Sequence, residues 1–231
     1  MITFDTIRFF QNLSKEDLMI AVSRLKIQHE VIPKGRSIFH SGNSRDEFAI
    51  ILSGMAAAEE YGLNEERILL FTVSDQDLLI DSSILHSEPW KIEFRTMTPV
   101  TIIRMNFQAL RSPINRLEQL LLDRVYEGLI HNARKINRKI LLISLPNLRM
   151  KILCYLCLIR QEVPYAHPHE IFEIPLDRAS MANYLNTDRS ALSKELGKLL
   201  HEGIIDFEKN RFSLHINADK YLESAGGSFT R

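Results

Sequence analysis

Arg189, Ser190, Ser193 and Lys194 are hydrogen-bonding side chains of graded reach, spaced so that a helix would present them together. Such a set suits the edges of DNA base pairs, where a guanidinium can donate two parallel bonds to guanine O6 and N7 and a hydroxyl can serve either base. The elements that must position them lie alongside. Leu192, Leu196, Leu199 and Leu200 recur at helical spacing on the other side and predict a helix buried along one face. Before it, Leu176, Met181, Tyr184 and Leu185 form the apolar face of a shorter helix, with Ala179 and Ala182 small enough for a close crossing. Asn186 and Thr187 form the turn, Asp188 stands where a carboxylate would cap the second helix, and Gly203 ends it. Ile204 to Glu208 and Arg211 to Ile216 then alternate like strands around Lys209-Asn210, with Asn expected at positive φ. Two helices, a tight turn and a hairpin spell a winged helix-turn-helix, whose second helix brings its N-terminal side chains to bases in the major groove.

Phosphate contacts need cations or hydroxyls beside that helix, and Arg178, Thr187, Lys198 and Lys209 are the candidates. Residues 176–216 hold six Lys or Arg against six Asp or Glu, so affinity must come from local clustering rather than bulk charge. The whole chain of 231 residues is formally neutral, 45% hydrophobic and 25% charged, a globular composition with room for two domains. No apolar run reaches the roughly 18 residues of a membrane span. The start MITFDTIRFF lacks the basic-then-apolar order of a secretion signal, so a cytoplasmic location is expected, with no membrane partner.

Catalytic and metal chemistry find little support. Cys154 and Cys157 sit in the apolar run ILCYLCLI, and structural zinc wants four ligands where no second pair exists; buried thiols are expected. His29-Glu30, His169-Glu170 and His201-Glu202 each lack a second His four residues on, and His167 and His169 flanking Pro168 make only a weak pair. No G-x-S-x-G, Walker loop or dinucleotide glycine pattern occurs. The expectation is therefore a non-enzyme with no metal. Two rivals stand beside a DNA reader: a cupin-like metal enzyme, and a ligand-binding or interaction module with degenerate DNA binding.

The rest of the chain supplies a scaffold. Ser14 with Glu16 and Asp17 starts an amphipathic helix that turns Leu18, Ala21, Val22 and Leu25 inward. From about Ile27 to Met105 come short strand-like runs, among them EFAIILSG, RILLFTV and TPVTIIRM, broken by glycines and Pro99; this texture argues for an antiparallel sandwich or barrel. Ser112-Pro113 reads as a helix start, with Pro at its first position, for a segment running to about Ile143. Along it Leu122, Val125, Leu129, Ala133, Ile136 and Ile140 repeat at three-and-four spacing, interrupted by Gly128, Arg124 and Arg138, and suggest the seam of a parallel homodimer. Between Arg111 and Lys151 nine basic residues face three acidic ones. Pro146-Asn147 forms a hinge before an apolar helix from Leu148 to Arg160, and Ala225 to Arg231 is a frayed tail. The division is 1–110 sensor barrel, 111–143 dimerisation helix and 144–231 DNA-binding domain.

That order of elements resembles the Crp/Fnr superfamily of bacterial transcription regulators over nearly the whole chain. Lys34-Gly35 and Ser41-Gly42 ahead of EFAIILSG look like the family's K-G-x-x-x-x-x-x-G-D and Y-x-I-x-x-G run, with Asn43 for the usual Asp, and Arg149-Met150 through Cys157 resembles its helix after the hinge. The resemblance implies an α+β chain: an antiparallel β-barrel of double-stranded β-helix or jelly-roll type, similar to cyclic-nucleotide-binding domains, a long dimerisation helix, and a winged helix-turn-helix. It implies a homodimer on palindromic double-stranded DNA, with RNA polymerase as a further partner, and base contacts from Arg189, Ser190 and Lys194. Ser190 departs from the Glu of the catabolite-activator branch. The family's phosphate-binding cassette, F-G-E followed by Arg and a hydroxyl residue, is replaced by Leu79-Ile80-Asp81 and Lys91-Ile92. Cyclic AMP is therefore not expected. Neither is an iron-sulfur cluster, since the N-terminus has no Cys, nor haem, for which His29, His40 and His86 offer only isolated ligands. What remains is either a constitutive regulator with no ligand or an unidentified small effector, apolar or aromatic in character, lodged between barrel and long helix. Ile80, Asp81, Lys91, Ile92 and, on the long helix, Arg134 are its expected pocket, with Arg134 and Lys135 placed to meet an acidic one.

Overall fold

The computed structural model describes residues 4–40, 46–86, 88–89, 91–162, 170–217 and 221. Ser41, Gly42 and Asn43, the histidines at 167 and 169, and the tail from Ala225 lie outside the described residues. The chain divides into two compact units, Met1–Lys135 and Ile136–Arg231, and the division falls inside one long helix.

In the first unit α1 (Lys15–Arg24) starts as expected, with the Ser14 hydroxyl accepting from Asp17 N at 3.0 Å. Two four-stranded antiparallel sheets follow. One has the order β1 (Gln28–Ile32), β8 (Val100–Asn106), β3 (Glu47–Ser53), β6 (Leu78–Leu79). The other runs β2 (Ser37–Phe39), β7 (Glu93–Thr96), β4 (Ala56–Tyr61), β5 (Arg67–Val73). This is the jelly-roll arrangement. β3 is apolar on both faces because it lies between β8 and β6 and is covered on each side, the pattern of a central strand. Phe48, Ile50, Ile103 and Met105 form a core with Phe9 and Phe10 of the N-terminal turns, Ala21 of α1 and Leu25 just past its end.

The long helix α2 (Arg116–Ile143) completes that core. It does not begin at Ser112-Pro113. Asn115 caps it, its side-chain oxygen accepting from Glu118 N at 2.9 Å, while Glu118 reaches back to accept from Ile114 N at 2.9 Å. This reciprocal arrangement is close to a capping box and satisfies two orphan N–H groups that a proline at 113 could not. Glu118 is buried and also receives Arg24 Nε at 2.8 Å. The backbone N–H of Ile114, with Arg24, outweighs burial and holds its carboxyl below the usual range. Glu118→Gln should thus destabilise the protein at neutral pH by about 1–3 kcal/mol. Because the folded pKa is depressed, that contribution is present above the ordinary carboxylate range and lost as pH falls through the folded value; melts of the two proteins should converge in acid.

The N-terminal part of the expected dimer seam packs within the first unit. Leu122 and Val125 are buried against the sheet, with Leu129 partly buried beside them, because the face centred on Leu121 and Val125 closes the core of the first unit. Ile136 is half-buried and Ala133 exposed. Gly128 lets the helix approach β6 closely: a Cβ there would lie 2.1 Å from Leu78 Cδ1. A different set is left uncovered on α2, namely Tyr126, Ile130 and Ala133, and four and seven residues on Asn137 and Ile140, a run of alternating four-and-three steps.

The second unit contains the end of α2, α3 (Leu148–Glu162), β9 (Phe172–Glu173), α4 (Arg178–Tyr184), α5 (Arg189–His201), β10 (Ile205–Glu208) and β11 (Arg211–Leu214). Asn147 caps α3 by accepting from Met150 N at 2.9 Å. Cys154 and Cys157 are fully buried among Leu153 and Leu156, and burial pushes the Cys154 thiol up to about 11.

Candidate nucleic-acid interface and effector-site residues

The helix-turn-helix is built around one apolar contact. Met181, Ala182 and Leu185 from α4 and its end meet the face of α5 carrying Leu192, Leu196 and Leu199, all buried. Leu176 is buried too, but it precedes α4, which begins only at Arg178 with Asp177 as its cap, the carboxylate accepting from Ser180 N at 2.8 Å. Asn186 turns the chain at φ 51°, a left-handed conformation that Asn tolerates. Asp188 occupies the cap position of α5 without a side-chain hydrogen bond, so its capping role is corrected. The far end is a Schellman close: Gly203 at φ 68° donates to Leu200 O at 3.0 Å and Ile204 N to Leu199 O at 3.0 Å.

Burying the leucines forces the opposite face outward. Arg189, Ser190, Ser193 and Lys194 are all exposed in the first turn and a half of α5. Ser193 Oγ donates to Arg189 O at 2.9 Å, which leaves it an acceptor. Arg189, Ser190 and Lys194 have no side-chain hydrogen bond or ion pair among the described residues. Gly197 continues this face, and a Cβ there would meet nothing within 4 Å. Packing does not require glycine at that position, so Gly197→Ala should raise stability by about 1 kcal/mol, read from the denaturation midpoint.

The wing is a three-stranded sheet, β10-β11-β9, with Glu208 opposite Arg211 across a two-residue turn. Lys209, rather than Asn210, takes positive φ, at 53°. The turn's first central position is the left-handed one, and the Lys209 carbonyl is fixed there by Arg178 Nη2 at 2.7 Å. Arg178 lies over Phe207 and Phe212, 5.0 and 4.9 Å from their ring centres, and burial lowers its pKa. It therefore ties the wing to α4 instead of standing free for a phosphate. Lys198 is likewise engaged, its Nζ 3.0 Å from Glu195 Oε2. Thr187 is half-buried in the turn, and the Lys209 side chain is exposed at the wing tip.

Lys139, near the end of α2, is buried over the Tyr184 ring at 5.5 Å, and burial lowers its pKa to about 8. Through that contact the last turns of α2 rest on α4.

Of the expected effector residues, Ile80 and Asp81 are buried and bonded within the first unit. Ile80 is 1% exposed and belongs to the core of the first unit, its carbonyl accepting from Asn132 Nδ2 at 3.3 Å. Asp81 is buried, and both its oxygens are occupied. Oδ1 accepts from Ser83 N and Oγ at 2.9 Å each, and Oδ2 from Lys91 N and Ile92 N at 2.9 Å each. The Lys91 side chain is exposed, Ile92 is half-buried, and Arg134 is exposed on α2. Sequence reasoning missed Asn132 and Arg124. Arg124 donates to Phe9 O and, at 2.6 Å, to Gln11 O, a long-range pairing no local pattern announces. Among the described residues no group of three or more His, Cys, Asp or Glu could hold a metal, and His29, His40 and His86 are exposed. No helix among them is long and apolar enough to cross a membrane.

Residues 29–116 match the cyclic nucleotide-binding domain, and residues 150–224 match the Crp-like helix-turn-helix domain. No curated protein matches the chain. Among solved structures it is similar to a variant of CooA from Carboxydothermus hydrogenoformans (TM-score 0.74, 14% identity, covering 98% of each chain). It is also similar to FixK2 from Bradyrhizobium japonicum (TM-score 0.69, 13% identity, 85% of this chain and 96% of that). A third is the c-di-GMP responsive global regulator CLP of Xanthomonas campestris (TM-score 0.68, 13% identity, 88% and 100%). At these identities the likeness is one of fold.

Proposed function

Since the chain belongs to the Crp/Fnr superfamily of DNA-binding transcription regulators, we propose that it acts as a homodimer that reads inverted-repeat DNA and answers to a small effector other than cyclic AMP. The observation that carries the reading is the face of α5: Arg189, Ser190 and Lys194 exposed and uncommitted at the end of the helix that enters the major groove. Arg189 supplies the bidentate contact to guanine, Ser190, Ser193 and Lys194 the neighbouring base edges. Lys209 and Thr187 are the phosphate contacts; Arg178 acts by holding the wing, and Lys198 contributes only after leaving Glu195.

The dimer forms through the uncovered stripe Tyr126, Ile130, Ala133 and Ile140, which supports a parallel α2 pair of coiled-coil type. Two readers held this way must match major grooves about 34 Å apart, so a small change in the helix pair makes or loses a competent spacing. Asp81 supports the exclusion of cyclic nucleotides. The backbone N–H groups of Lys91 and Ile92, at the positions where the family's cassette holds a phosphate, already serve an internal carboxylate. An incoming phosphodiester would have to displace a buried anion.

Two solution measurements test the reading together. The mass of the complex with a duplex carrying an inverted repeat should correspond to two chains per duplex, and calorimetry with cyclic AMP should show no saturable heat. One chain per duplex would overturn the dimer, and saturable cyclic AMP binding would overturn the effector class.

A further inference from the structure

A cleft of about 330 Å³ opens in the first unit between the N-terminal turns, the connection from β5 to β6, and α2. That is the size of a metabolite site rather than of a macromolecular groove. Its walls are joined by bonds that leave positive charge over. Gln76 Oε1 accepts from Arg8 N at 2.9 Å, linking the N-terminal turn to the β5–β6 connection. Arg124 spends its guanidinium on two backbone carbonyls, with the Glu127 carboxylate close enough to act on it electrostatically.

The acidic side is already committed. Asp77 accepts from Ser74 N at 2.8 Å and Lys135 Nζ at 2.7 Å and pairs with His131 Nε2 at 3.2 Å. Burial pushes its carboxyl up, but His131 and Lys135 together hold it below the usual range. Arg8 and Arg134, both exposed to the cleft, have no side-chain partner among the described residues. Three guanidinium groups thus share a concave site with two carboxylates, Asp77 and the Glu127 that acts on Arg124, which leaves Arg8 and Arg134 as the groups without a counter-charge among the described residues.

We propose that this cleft binds a small organic or inorganic dianion, with the guanidinium groups of Arg8 and Arg134 as its charge partners and Gln76 as a neutral donor. Guanidinium pairs with carboxylate or phosphate oxygens through fixed parallel N–H groups, which gives selectivity for planar or tetrahedral oxyanions over neutral analogues. The proposal rests on the reading of the chain as an effector-controlled regulator and names the effector's class and place. It also supplies the coupling. Arg134, His131 and Arg124 lie on α2 in the same turns as Tyr126, Ile130 and Ala133, so an anion bridging α2 to Arg8 and Gln76 fixes the segment that presents the dimer stripe.

Succinate, glutarate and inorganic phosphate, at constant ionic strength, are the probes for titration calorimetry on the full chain, with neutral succinamide as the control. At least one dianion should bind saturably at one site per chain while succinamide does not. Arg8→Gln combined with Arg134→Gln should weaken binding at least tenfold, and Lys15→Gln combined with Lys26→Gln, an equal loss of charge elsewhere, should leave it unchanged. The proposal is overturned if none of the three dianions saturates, if the Arg8 and Arg134 variant binds as the wild type does, or if the Lys15 and Lys26 variant loses as much. DNA recognition is measured on the same preparations. Retained recognition with no dianion binding removes this site alone, and dianion binding with no recognition removes the regulator reading alone.

Discussion

Arg189→Ala flattens sequence preference at one position in each half-site and weakens specific binding by roughly 30-fold to 10⁴-fold. The figure comes from about 1–3 kcal/mol for each bidentate guanine contact, counted once per subunit of the dimer. Folding should not suffer, because the side chain is exposed and makes no hydrogen bond or ion pair among the described residues. Nonspecific affinity should fall far less, since it depends on phosphates rather than base edges. Comparing Arg189→Ala with Lys209→Ala on matched and mismatched duplexes separates the two roles. The first should erase discrimination, whereas the second should lower both affinities together and reduce the salt slope.

Ile130→Asp should produce a folded monomer whose operator affinity is at least about 10³-fold lower. Loss of the second reader brings specific binding down toward the nonspecific level. Ile130 is 52% exposed on one chain, so its replacement opens no cavity in the sensor core. Leu122→Ala should do the reverse. Leu122 packs into that core, and truncation should cost about 2–5 kcal/mol of stability while the dimer persists at temperatures where the protein is folded. Sedimentation and thermal melts of the two variants decide between the stripes. A monomeric Leu122→Ala with a dimeric Ile130→Asp would restore the seam read from periodicity.

The contrast between those residues shows where sequence patterning stops. Leu122, Val125 and Leu129 repeat at three-and-four spacing, and so do Tyr126, Ile130 and Ala133, as expected of a long helix that packs on its own domain and, in the proposed dimer, on a partner. Periodicity reports that a stripe is buried by something. Only the sheet behind α2 tells which stripe faces home. The helix-turn-helix was legible for the opposite reason: its leucine face, its left-handed Asn186 and its Gly203 close are all local, and together they leave one direction for Arg189 and Lys194. The jelly roll was legible as texture, from short strands broken by glycine and proline.

Other features lay beyond local pattern. That Asp81 faces inward to take the N–H groups of Lys91 and Ile92 depends on a contact ten residues away, and the ties of Arg178 to the wing and of Arg124 to the N-terminal turn span longer gaps still. The cleft beside Arg8 and Arg134 joins segments more than a hundred residues apart in sequence. The start of α2 is a different case. Asn115 and Glu118 carry a capping pattern readable in the sequence, but Ser112-Pro113 offered a competing start three residues earlier, and the bonds to Ile114 and Arg24 decide between them.

Selection of bound duplexes from a random DNA pool by the purified full chain, at physiological salt and without added cyclic nucleotide, tests the central claim most directly. An enriched inverted repeat with half-sites about one helical turn apart, lost in Arg189→Ala, is the result expected of a dimeric reader. Enrichment of a single unrepeated site, or no enrichment with and without the dianion probes, would contradict it.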